Sequence, residues 1–430
     1  MEYQEFLDEI FAKTAIDRKL ELCHIKEFLD AVGNPEKKLR AIHIAGTNGK
    51  GSTAAAVESI LYAHNLKVGL NTSPHLVNYQ ERFRINKKEV QHTKIKNLYE
   101  QYRNLHNKYD TTYFEISTSI AFQLFLQEKV DYAIMEVGLG GRLDASVLVN
   151  SVITVITNID YEHTKTLGNT LPKIAKEKAG ILKTNVPVVL GKMRPAARNT
   201  IIQEARKKDC PIINFQKEVK ISNIKLNEDY GVYDLNIPKC NINYKNIKCN
   251  LVGRHQIDNS ALAILIVASL FQNDGIKLNE EKVKTGLNSI IWKGRLQKIC
   301  DSPKIIIDGA HNPDGIKSLV YNLKHIYKYK KLIAVIGVLY DKDFKSMIKQ
   351  LSSIVDLFVI CKSHSHRAAE IKILSKEVEK YKKDYILEND INLALAKAKE
   401  FADKDDLICV TGSLYTIGEV LKLGSDIKDG

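Results

Sequence analysis

The sequence predicts an α/β protein with two domains, each built on a mainly parallel sheet. The chain has 430 residues, which is too long for one ordinary domain. Short apolar runs alternate with helical stretches, beginning with an amphipathic helix over Leu20–Leu29, and a second such series begins near Arg295. We assign residues 1–292 to an N-terminal domain of P-loop type, with a small antiparallel β addition at about 215–250. Residues 293–430 then form a smaller, doubly wound C-terminal α/β domain.

The stretch AIHIAGTNGKGSTAAAVESIL, from Ala41 to Leu61, has the pattern of a phosphate-binding loop. A short apolar strand ends at a glycine loop, and a helix with small residues at its start follows. Unpaired backbone N–H groups at a helix N-terminus favour anions, and glycines let phosphates approach the backbone closely. The usual P-loop has its hydroxyl directly after the lysine, whereas Gly51 here separates Lys50 from Ser52. The stretch predicts phosphate binding, with Lys50 at the terminal phosphates.

Carboxylates and a histidine follow two later strands of the N-terminal domain. Glu136 ends the predicted strand in DYAIMEVGLGG, while Asp160, Glu162 and His163 follow the next predicted strand, in SVITVITNID. Because ligands bind outside the carboxyl ends of parallel strands, we expect two neighbouring strands to bring these side chains to one rim. Carboxylate oxygens suit Mg²⁺, which shares its ligands with substrate phosphates. A salt-bridged glutamate and a structural histidine are the alternatives that this pattern leaves open.

The C-terminal domain begins near residues 289–294 and opens with a polar turn. The segment KIIIDGAHNPDG places Asp308 and His311 at its first strand end, and WKGRLQ places Arg295 just before that strand. These side chains could face a nucleotide held in a cleft between the domains. The other interpretation is an ordinary turn preceded by a linker charge, and spacing alone does not decide between the two.

The amino-acid composition indicates which classes of partner and which cellular compartment to expect. The formal net charge is +13, but the lysines are spread along the sequence without an aromatic-basic module, which indicates anionic small molecules rather than nucleic acid. Seven cysteines without a C-x-x-C pair argue against a disulfide framework and fit a reducing cytoplasm. The acidic start MEYQEFLDEIF differs from a signal peptide, and the longest apolar run, Ala261–Phe271, is too short to span a bilayer. We expect a cytoplasmic protein without a membrane partner.

A set of segments spanning nearly the whole chain resembles one protein family. They follow the order found in folylpolyglutamate synthase and the bifunctional dihydrofolate synthase/folylpolyglutamate synthase, which belong to the Mur ligase superfamily. The segments are GTNGKGS, NTSPHLVNYQERFRIN, TYFEISTSIAF, EVGLGGRLDAS, LGNTLPKIAKEKAGIL, GRHQIDNSALAI, WKGRLQ, IIIDGAHNPDG and CVTGSLYTIGEV. The family's phosphate loop also has a glycine between its lysine and its hydroxyl. The loop of this chain therefore resembles the Mur ligase type rather than a degraded standard P-loop.

The resemblance implies ATP and two Mg²⁺ ions as cofactors, and it assigns site residues by position. The residues that match the family's ATP contacts are Asn48, Gly49, Lys50, Gly51, Ser52, Asn259, Arg295 and Asp308. Those that match its Mg²⁺ ligands are Ser73, Glu136 and His163. Those that match the pterin-side region of the bifunctional enzymes are Thr112, Tyr113, Phe114, Glu115, Leu143, Asp144 and Ala145.

The resemblance also implies catalytic roles for Lys50, His311 and Lys178. His311 would face the active site, and Lys178 in EKAG matches a lysine that the family carboxylates with CO₂. Spacing alone would put Lys178 on the solvated face of an amphipathic helix. One departure concerns Glu162, because the family usually has aspartate before the metal histidine. A supporting role would tolerate the longer carboxylate, although the geometry would change.

The activity implied is that of a monomeric, ATP-dependent ligase that adds L-glutamate to a folate through an acyl phosphate, giving ADP and phosphate. Whether dihydropteroate is also a substrate stays open. The two domains then correspond to a Mur-ligase-type ATPase domain and a glutamate ligase domain.

Two alternative functions stay open. One is a ligase acting on a peptidoglycan precursor, which would share the phosphate loop but lack the TSPHL…ERFRIN segment and bind a uridine nucleotide. The other is a non-catalytic nucleotide-binding module, which would need neither Glu136 and His163 nor the DGAHN motif.

Overall fold

The computed structural model describes residues 1–14 and 21–426, and its N-terminal part is built on an eight-stranded sheet. The strands are β1 (Ala41–Ala45), β2 (Val68–Asn71), β3 (Phe83–Ile85), β4 (Lys88–Glu89), β5 (Tyr132–Glu136), β6 (Ser151–Ile156), β7 (Val188–Leu190) and β8 (Ile212–Asn214). Their order is β4-β3-β2-β5-β1-β6-β7-β8. The strands from β2 to β8 in this order are parallel, and β3 and β4 extend one edge antiparallel.

Helices cover both faces of this sheet. They are α1 (Tyr3–Ala12), α2 (Cys23–Ala31), α3 (Lys50–Ala63), α4 (His92–Lys108), α5 (Tyr113–Gln127), α6 (Thr164–Leu167), α7 (Leu171–Lys178), α8 (Pro195–Arg206), α9 (Phe215–Glu218), α10 (Arg254–Asn273) and α11 (Glu280–Asn288). Ile42 and Ile44 of β1 pack with α3 and α10, while Ala41 joins the core around α5 on the other face. The predicted parallel sheet is confirmed. The helix expected over Leu20–Leu29 is α2, and Leu20 lies outside the described residues.

A three-stranded antiparallel sheet packs onto the N-terminal part, as the alternating runs predict. Its strands are β9 (Lys220–Leu226), β10 (Gly231–Ile237) and β11 (Ile242–Cys249). Tyr233, Leu235 and Ile247 join the same hydrophobic core as α10, whose apolar run is buried from Ser260 to Phe271. Among the described residues, no helix is long and apolar enough to cross a membrane.

The C-terminal part is a smaller, six-stranded sheet between two layers of helices. Its strands are β12 (Gln297–Asp301), β13 (Lys304–Ile307), β14 (Leu332–Ile336), β15 (Leu357–Ile360), β16 (Asp384–Leu387) and β17 (Leu407–Thr411), in the order β12-β13-β17-β14-β15-β16. Its helices are α12 (Pro313–Ile326), α13 (Phe344–Leu351), α14 (Ile371–Glu379), α15 (Ile391–Glu400) and α16 (Leu414–Asp426). Ile306 packs toward α12–α14, whereas Ile305 and Ile307 pack toward α15 and α16, which confirms a doubly wound sheet.

The expectation that two neighbouring strands carry the polar rim is wrong in one detail. Strands β5 and β6 do not pair, because β1 lies between them in the sheet. The phosphate loop after β1 therefore lies between Glu136, at the end of β5, and the residues that follow β6. This order puts the carboxylates on either side of the loop rather than next to each other.

A loop of the N-terminal part inserts into the core of the C-terminal part. Leu76 packs against the hydrophobic cluster of α15 and α16, and Glu81 holds the loop by accepting the backbone N–H groups of residues 76–78. The carbonyl oxygen of Leu76 lies so close to Gly418 of α16 that a Cβ there would be 2.2 Å from it. Gly418 is thus required for the two parts to pack at this distance.

The substitution Gly418→Ala tests this contact. Alanine normally stabilises a helix interior by about 1 kcal/mol relative to glycine. Here we expect the opposite sign, with the free energy of unfolding lowered by about 1–3 kcal/mol, because the new methyl group forces the parts apart. Denaturant unfolding of the full chain measures the change. A stability equal to or above that of the wild type would contradict the described packing.

Candidate active site

A cavity of about 420 Å³ lies at the carboxyl ends of β1, β5 and β6, and the C-terminal part forms its opposite wall. Its lining includes every residue that the resemblance assigns to ATP, to Mg²⁺ or to catalysis. These are Asn48, Gly49, Lys50, Gly51, Ser52, Ser73, Glu136, His163, Lys178, Asn259, Arg295, Asp308 and His311. The structure therefore brings residues from two domains and many separate segments to one space, and their roles there stay predictions.

The phosphate loop joins β1 to α3 through a backbone that only glycines allow. Gly49 has φ +80°, and a Cβ at Gly46 would lie 1.9 Å from Oγ1 of Thr157. That hydroxyl donates to the carbonyl of Asn48 at 2.7 Å, which fixes the curve of the loop. The first N–H groups of α3 then face the cavity, an arrangement that favours phosphate.

Two lysines converge on one backbone carbonyl of this loop. Lys178 Nζ donates to the carbonyl of Gly46 at 2.7 Å, and Lys50 Nζ donates to the same oxygen at 3.2 Å. Lys178 is only 4% exposed, although its spacing in α7 predicted a solvated position. Burial and then the charge of Lys50 lower the pKa of Lys178 to about 7. A large fraction of this amine is therefore neutral near physiological pH.

Glu136 and His163 flank the phosphate loop. Oε2 of Glu136 accepts the backbone N–H of Ser73 at 3.3 Å, and Oε1 lies 4.0 Å from Lys50 Nζ. Burial raises the pKa of Glu136, whereas burial and then the charge of Lys342 lower the pKa of His163 to about 4. His163 is thus neutral at pH 7 and has a free lone pair for a metal ion.

The donor set fits a magnesium ion that is shared with a nucleotide. Within residues 1–14 and 21–426, no group of three or more His, Cys, Asp or Glu side chains forms a closed metal cage. Mg²⁺ keeps several waters and takes substrate phosphates as ligands, so it needs only one or two protein groups. The carboxylate of Glu136 and the hydroxyl of Ser73 are hard oxygen donors at the edge of the phosphate loop.

Glu162 connects the two parts of the molecule across the cavity. Its Oε1 accepts from His311 Nε2 at 3.1 Å and from Lys342 Nζ at 3.0 Å, both in the C-terminal part. Burial opposes ionisation, but the bond from His311 and the charge of Lys342 hold the pKa of Glu162 well below its usual value. Nδ1 of His311 lies 2.7 Å from the carbonyl oxygen of Gly309, so both ring nitrogens are within hydrogen-bond distance of an oxygen. The longer carboxylate noted in the sequence therefore reaches the opposite domain.

Sequence analysis did not identify Lys342 as a site residue. It follows β14 in the segment LYDKD, and its side chain is 9% exposed. The available signal was a charged cluster just beyond the carboxyl end of a parallel strand, where ligands bind. Its distance of 180 residues from Glu162 hid the partner.

The predicted nucleotide contacts at the other end of the cavity are held by local hydrogen bonds. Asp308 accepts the backbone N–H of Leu296 at 3.0 Å and that of Ala310 at 2.9 Å, so it ties the Arg295 segment to the DGAHN turn. Asn259 donates to Gln256 at 3.0 Å on α10. Asp308 is thus a brace in this structure, whereas Arg295 and Asn259 present side chains to the cavity.

The seven residues assigned to the pterin side lie outside this cavity lining. Thr112 and Glu115 form the capping box of α5, and the ring of Tyr113 lies 5.3 Å from the Arg82 guanidinium. Asp144 accepts the backbone N–H groups of Gly138 and Leu139, which do line the cavity. Phe114 packs against Gly138, and Leu143 and Ala145 flank Asp144. Phe114 and Asp144 thus contact residues of the cavity lining, and a role of the seven residues in pterin binding stays a prediction.

Two family descriptions match the chain in the order of its two parts. Residues 44–267 match the Mur ligase middle domain, and residues 294–414 match the Mur ligase glutamate ligase domain. The chain is also similar to a dihydrofolate synthase/folylpolyglutamate synthase from Bacillus subtilis (strain 168), with 33% identity over 430 residues and 98% of each chain covered. A protein of the same name from Escherichia coli (strain K12) is 32% identical, over 88% of this chain and 85% of its own.

Solved structures give the same result for the fold. Mycobacterium tuberculosis folylpolyglutamate synthase complexed with ADP superposes with a TM-score of 0.91 at 28% identity, over 98% of each chain. Escherichia coli FolC in complex with DHPP and ADP gives a TM-score of 0.90 at 29% identity, over 100% of this chain and 99% of its own. From the domain matches, the sequence identity and these superpositions, the chain belongs to the folylpolyglutamate synthase/dihydrofolate synthase family of Mur ligases.

Proposed function

We propose that this chain joins the amino group of L-glutamate to a carboxylate of a folate, with cleavage of ATP to ADP and phosphate. The observation that carries the proposal is the single cavity in which the phosphate loop of one domain faces the DGAHN turn of the other. Family membership supports the same chemistry. A ligase for a peptidoglycan precursor is not favoured, because the similar proteins over nearly the full length are folate ligases.

The mechanism follows from the low reactivity of a carboxylate toward an amine. The acceptor carboxylate attacks the γ-phosphorus of ATP, which gives an acyl phosphate and ADP. The amine of L-glutamate then attacks the acyl carbon, a C–N bond forms, and phosphate leaves. Lys50 and the N–H groups of the phosphate loop stabilise the charge on the phosphates, so most of the rate arises from positioning and electrostatics. Closure of the two domains around the cavity would keep water from the acyl phosphate.

We also propose that Ser73, Glu136 and His163 hold magnesium at the edge of the phosphate loop. When bound there, Mg²⁺ supplies positive charge to the phosphate oxygens and orients them. Glu136 already lies beside Ser73 and Lys50, and His163 has a neutral ring. These contacts support the proposed metal site.

Lys178 is proposed to carry a carbamate. Its neutral amine would add to the carbon of CO₂, forming an N–C bond and releasing one proton to solvent. This converts a buried neutral amine beside Lys50 into an anion that pairs with Lys50, and it provides an oxygen ligand next to the metal site. The lowered pKa of about 7 supports the first requirement, which is an unprotonated amine.

The first test is a product assay with purified protein, ATP, Mg²⁺ and L-glutamate. Tetrahydrofolate and dihydropteroate are supplied separately, and products are identified by mass. We expect a tetrahydrofolate product heavier by one glutamyl residue, together with ADP. The dihydropteroate reaction shows whether the second activity is present. ATP cleavage that is independent of any folate or pteroate would contradict the proposed acceptor.

The second test concerns the metal site. We expect Glu136→Ala and His163→Ala to raise the Mg²⁺ concentration for half-maximal activity by about tenfold or more, since each removes a direct ligand. Titration with Mg²⁺ at saturating ATP measures this shift. His325→Ala, at an exposed histidine of α12, is the matched control and keeps the wild-type titration. A wild-type titration in both site variants would exclude a metal role.

The third test uses stability and needs no activity. Between the folded pKa of Lys178, about 7, and its ordinary value of 10.5, the unfolded chain binds more protons than the folded chain. Stability of the wild type should therefore rise with pH in this window, with a contribution of about 1.4 kcal/mol per pH unit from Lys178. Lys178→Met removes this contribution. Denaturant unfolding from pH 7 to 9 in CO₂-free buffer measures the difference in slope.

Equal pH slopes in the wild type and Lys178→Met would show that Lys178 has an ordinary pKa. The matched control is Lys176→Met, at an exposed lysine of the same helix, which should keep the wild-type slope. A separate measurement addresses the carbamate itself. Lys178→Ala should lose most activity and recover part of it with added acetate but not with acetamide, because only acetate replaces the carboxylate.

A further inference from the structure

Lys342 makes a buried contact between the domains that the mechanism above does not use. Its Nζ lies 3.0 Å from Oε1 of Glu162, and the two side chains are 9% and 7% exposed. The other donors to Glu162, His311 at 3.1 Å and Asn312 at 3.5 Å, also approach Oε1. The carboxylate is therefore held from the C-terminal domain through one oxygen.

The position of Glu162 creates an electrostatic difficulty for a nucleotide. Glu162 lines the same cavity as Lys50 and the rest of the phosphate loop. A P-loop lysine reaches the terminal phosphates of a bound nucleotide, so a γ-phosphate bound by Lys50 would share this cavity with the Glu162 carboxylate. An ionised carboxylate in a poorly solvated cavity repels a phosphate strongly unless a cation compensates it.

We propose that Lys342 is the charge-compensating residue of the nucleotide site. It neutralises Glu162, so that the γ-phosphate can bind beside this carboxylate, and it is present only when the C-terminal domain is docked. Lys342 is thus a positioning residue, acting through Glu162 rather than touching the phosphate. The inference rests on the proposed function, because it requires ATP in the cavity.

A purely structural role would be a salt bridge that merely holds the domains together. The two roles differ in what happens when both charges are removed. If Lys342 only joins the domains, the double variant Glu162→Gln/Lys342→Met is as impaired as Lys342→Met. If Lys342 compensates charge, removing Glu162 also removes the need for it, and nucleotide affinity returns.

The experiment measures binding of the β,γ-methylene analogue of ATP and of ADP to the full chain by calorimetry, each with Mg²⁺. For Lys342→Met we expect the Kd of the analogue to rise by about tenfold, with a smaller rise for ADP, which lacks the γ-phosphate. The double variant Glu162→Gln/Lys342→Met should return the Kd to within about threefold of the wild type. Lys342→Arg, which keeps the charge, should also stay within about threefold.

Lys345→Met, at an exposed lysine of α13, is the matched control and keeps wild-type affinity. Wild-type affinity in Lys342→Met, or no recovery in the double variant, overturns the inference. Should Lys342→Met fail to fold, Glu162→Gln alone decides, because compensation predicts unchanged or tighter binding of the analogue and a tenfold loss contradicts it. If the wild type binds neither nucleotide, the proposed function fails rather than this inference.

Discussion

Two lysine side chains share the carbonyl oxygen of Gly46, and the chemistry of the site depends on this contact. Lys50 and Lys178 donate to it at 3.2 and 2.7 Å. Burial, and then the nearby charge of Lys50, lower the pKa of Lys178, so this amine loses its proton more readily than an exposed lysine. The contact needs glycine at position 46, because a side chain there would collide with Thr157. The backbone at Gly46 thus influences both the affinity of the loop for phosphate and the proposed reactivity of Lys178 toward CO₂.

The second domain completes the site through two separate kinds of contact. Leu76 inserts into the apolar core beside α16, with Gly418 allowing the close approach. Glu162, which lines the cavity, accepts hydrogen bonds from His311 and Lys342 of the second domain. Apolar packing of Leu76 contributes to the attraction between the domains, while the polar contacts at Glu162 link charged groups of both domains. Because the residues proposed as catalytic come from both domains, the proposed reaction requires the docked arrangement.

The sequence predicted the features that depend on local pattern. Strand–helix alternation indicated both sheets, and glycine spacing indicated the phosphate loop, because dihedral angles and hydrophobic periodicity are local properties. It could not indicate features that arise from long-range packing. One such feature is the position of β1 between β5 and β6, because the order of strands in a sheet is not a local property of the sequence. Lys178 lies on an amphipathic helix and is nevertheless buried, since the end of α7 packs against Gly141. Lys342 meets Glu162 only after the domains dock.

The central claim is that this interdomain cavity activates a carboxylate by phosphoryl transfer from ATP. Isotope transfer tests it most directly. A folate acceptor with ¹⁸O in its reacting carboxylate is incubated with the enzyme, ATP, Mg²⁺ and L-glutamate, and the released phosphate is analysed by mass. An acyl phosphate predicts one ¹⁸O atom in each phosphate, with ADP as the nucleotide product. Phosphate without label, or AMP in place of ADP, would contradict the account.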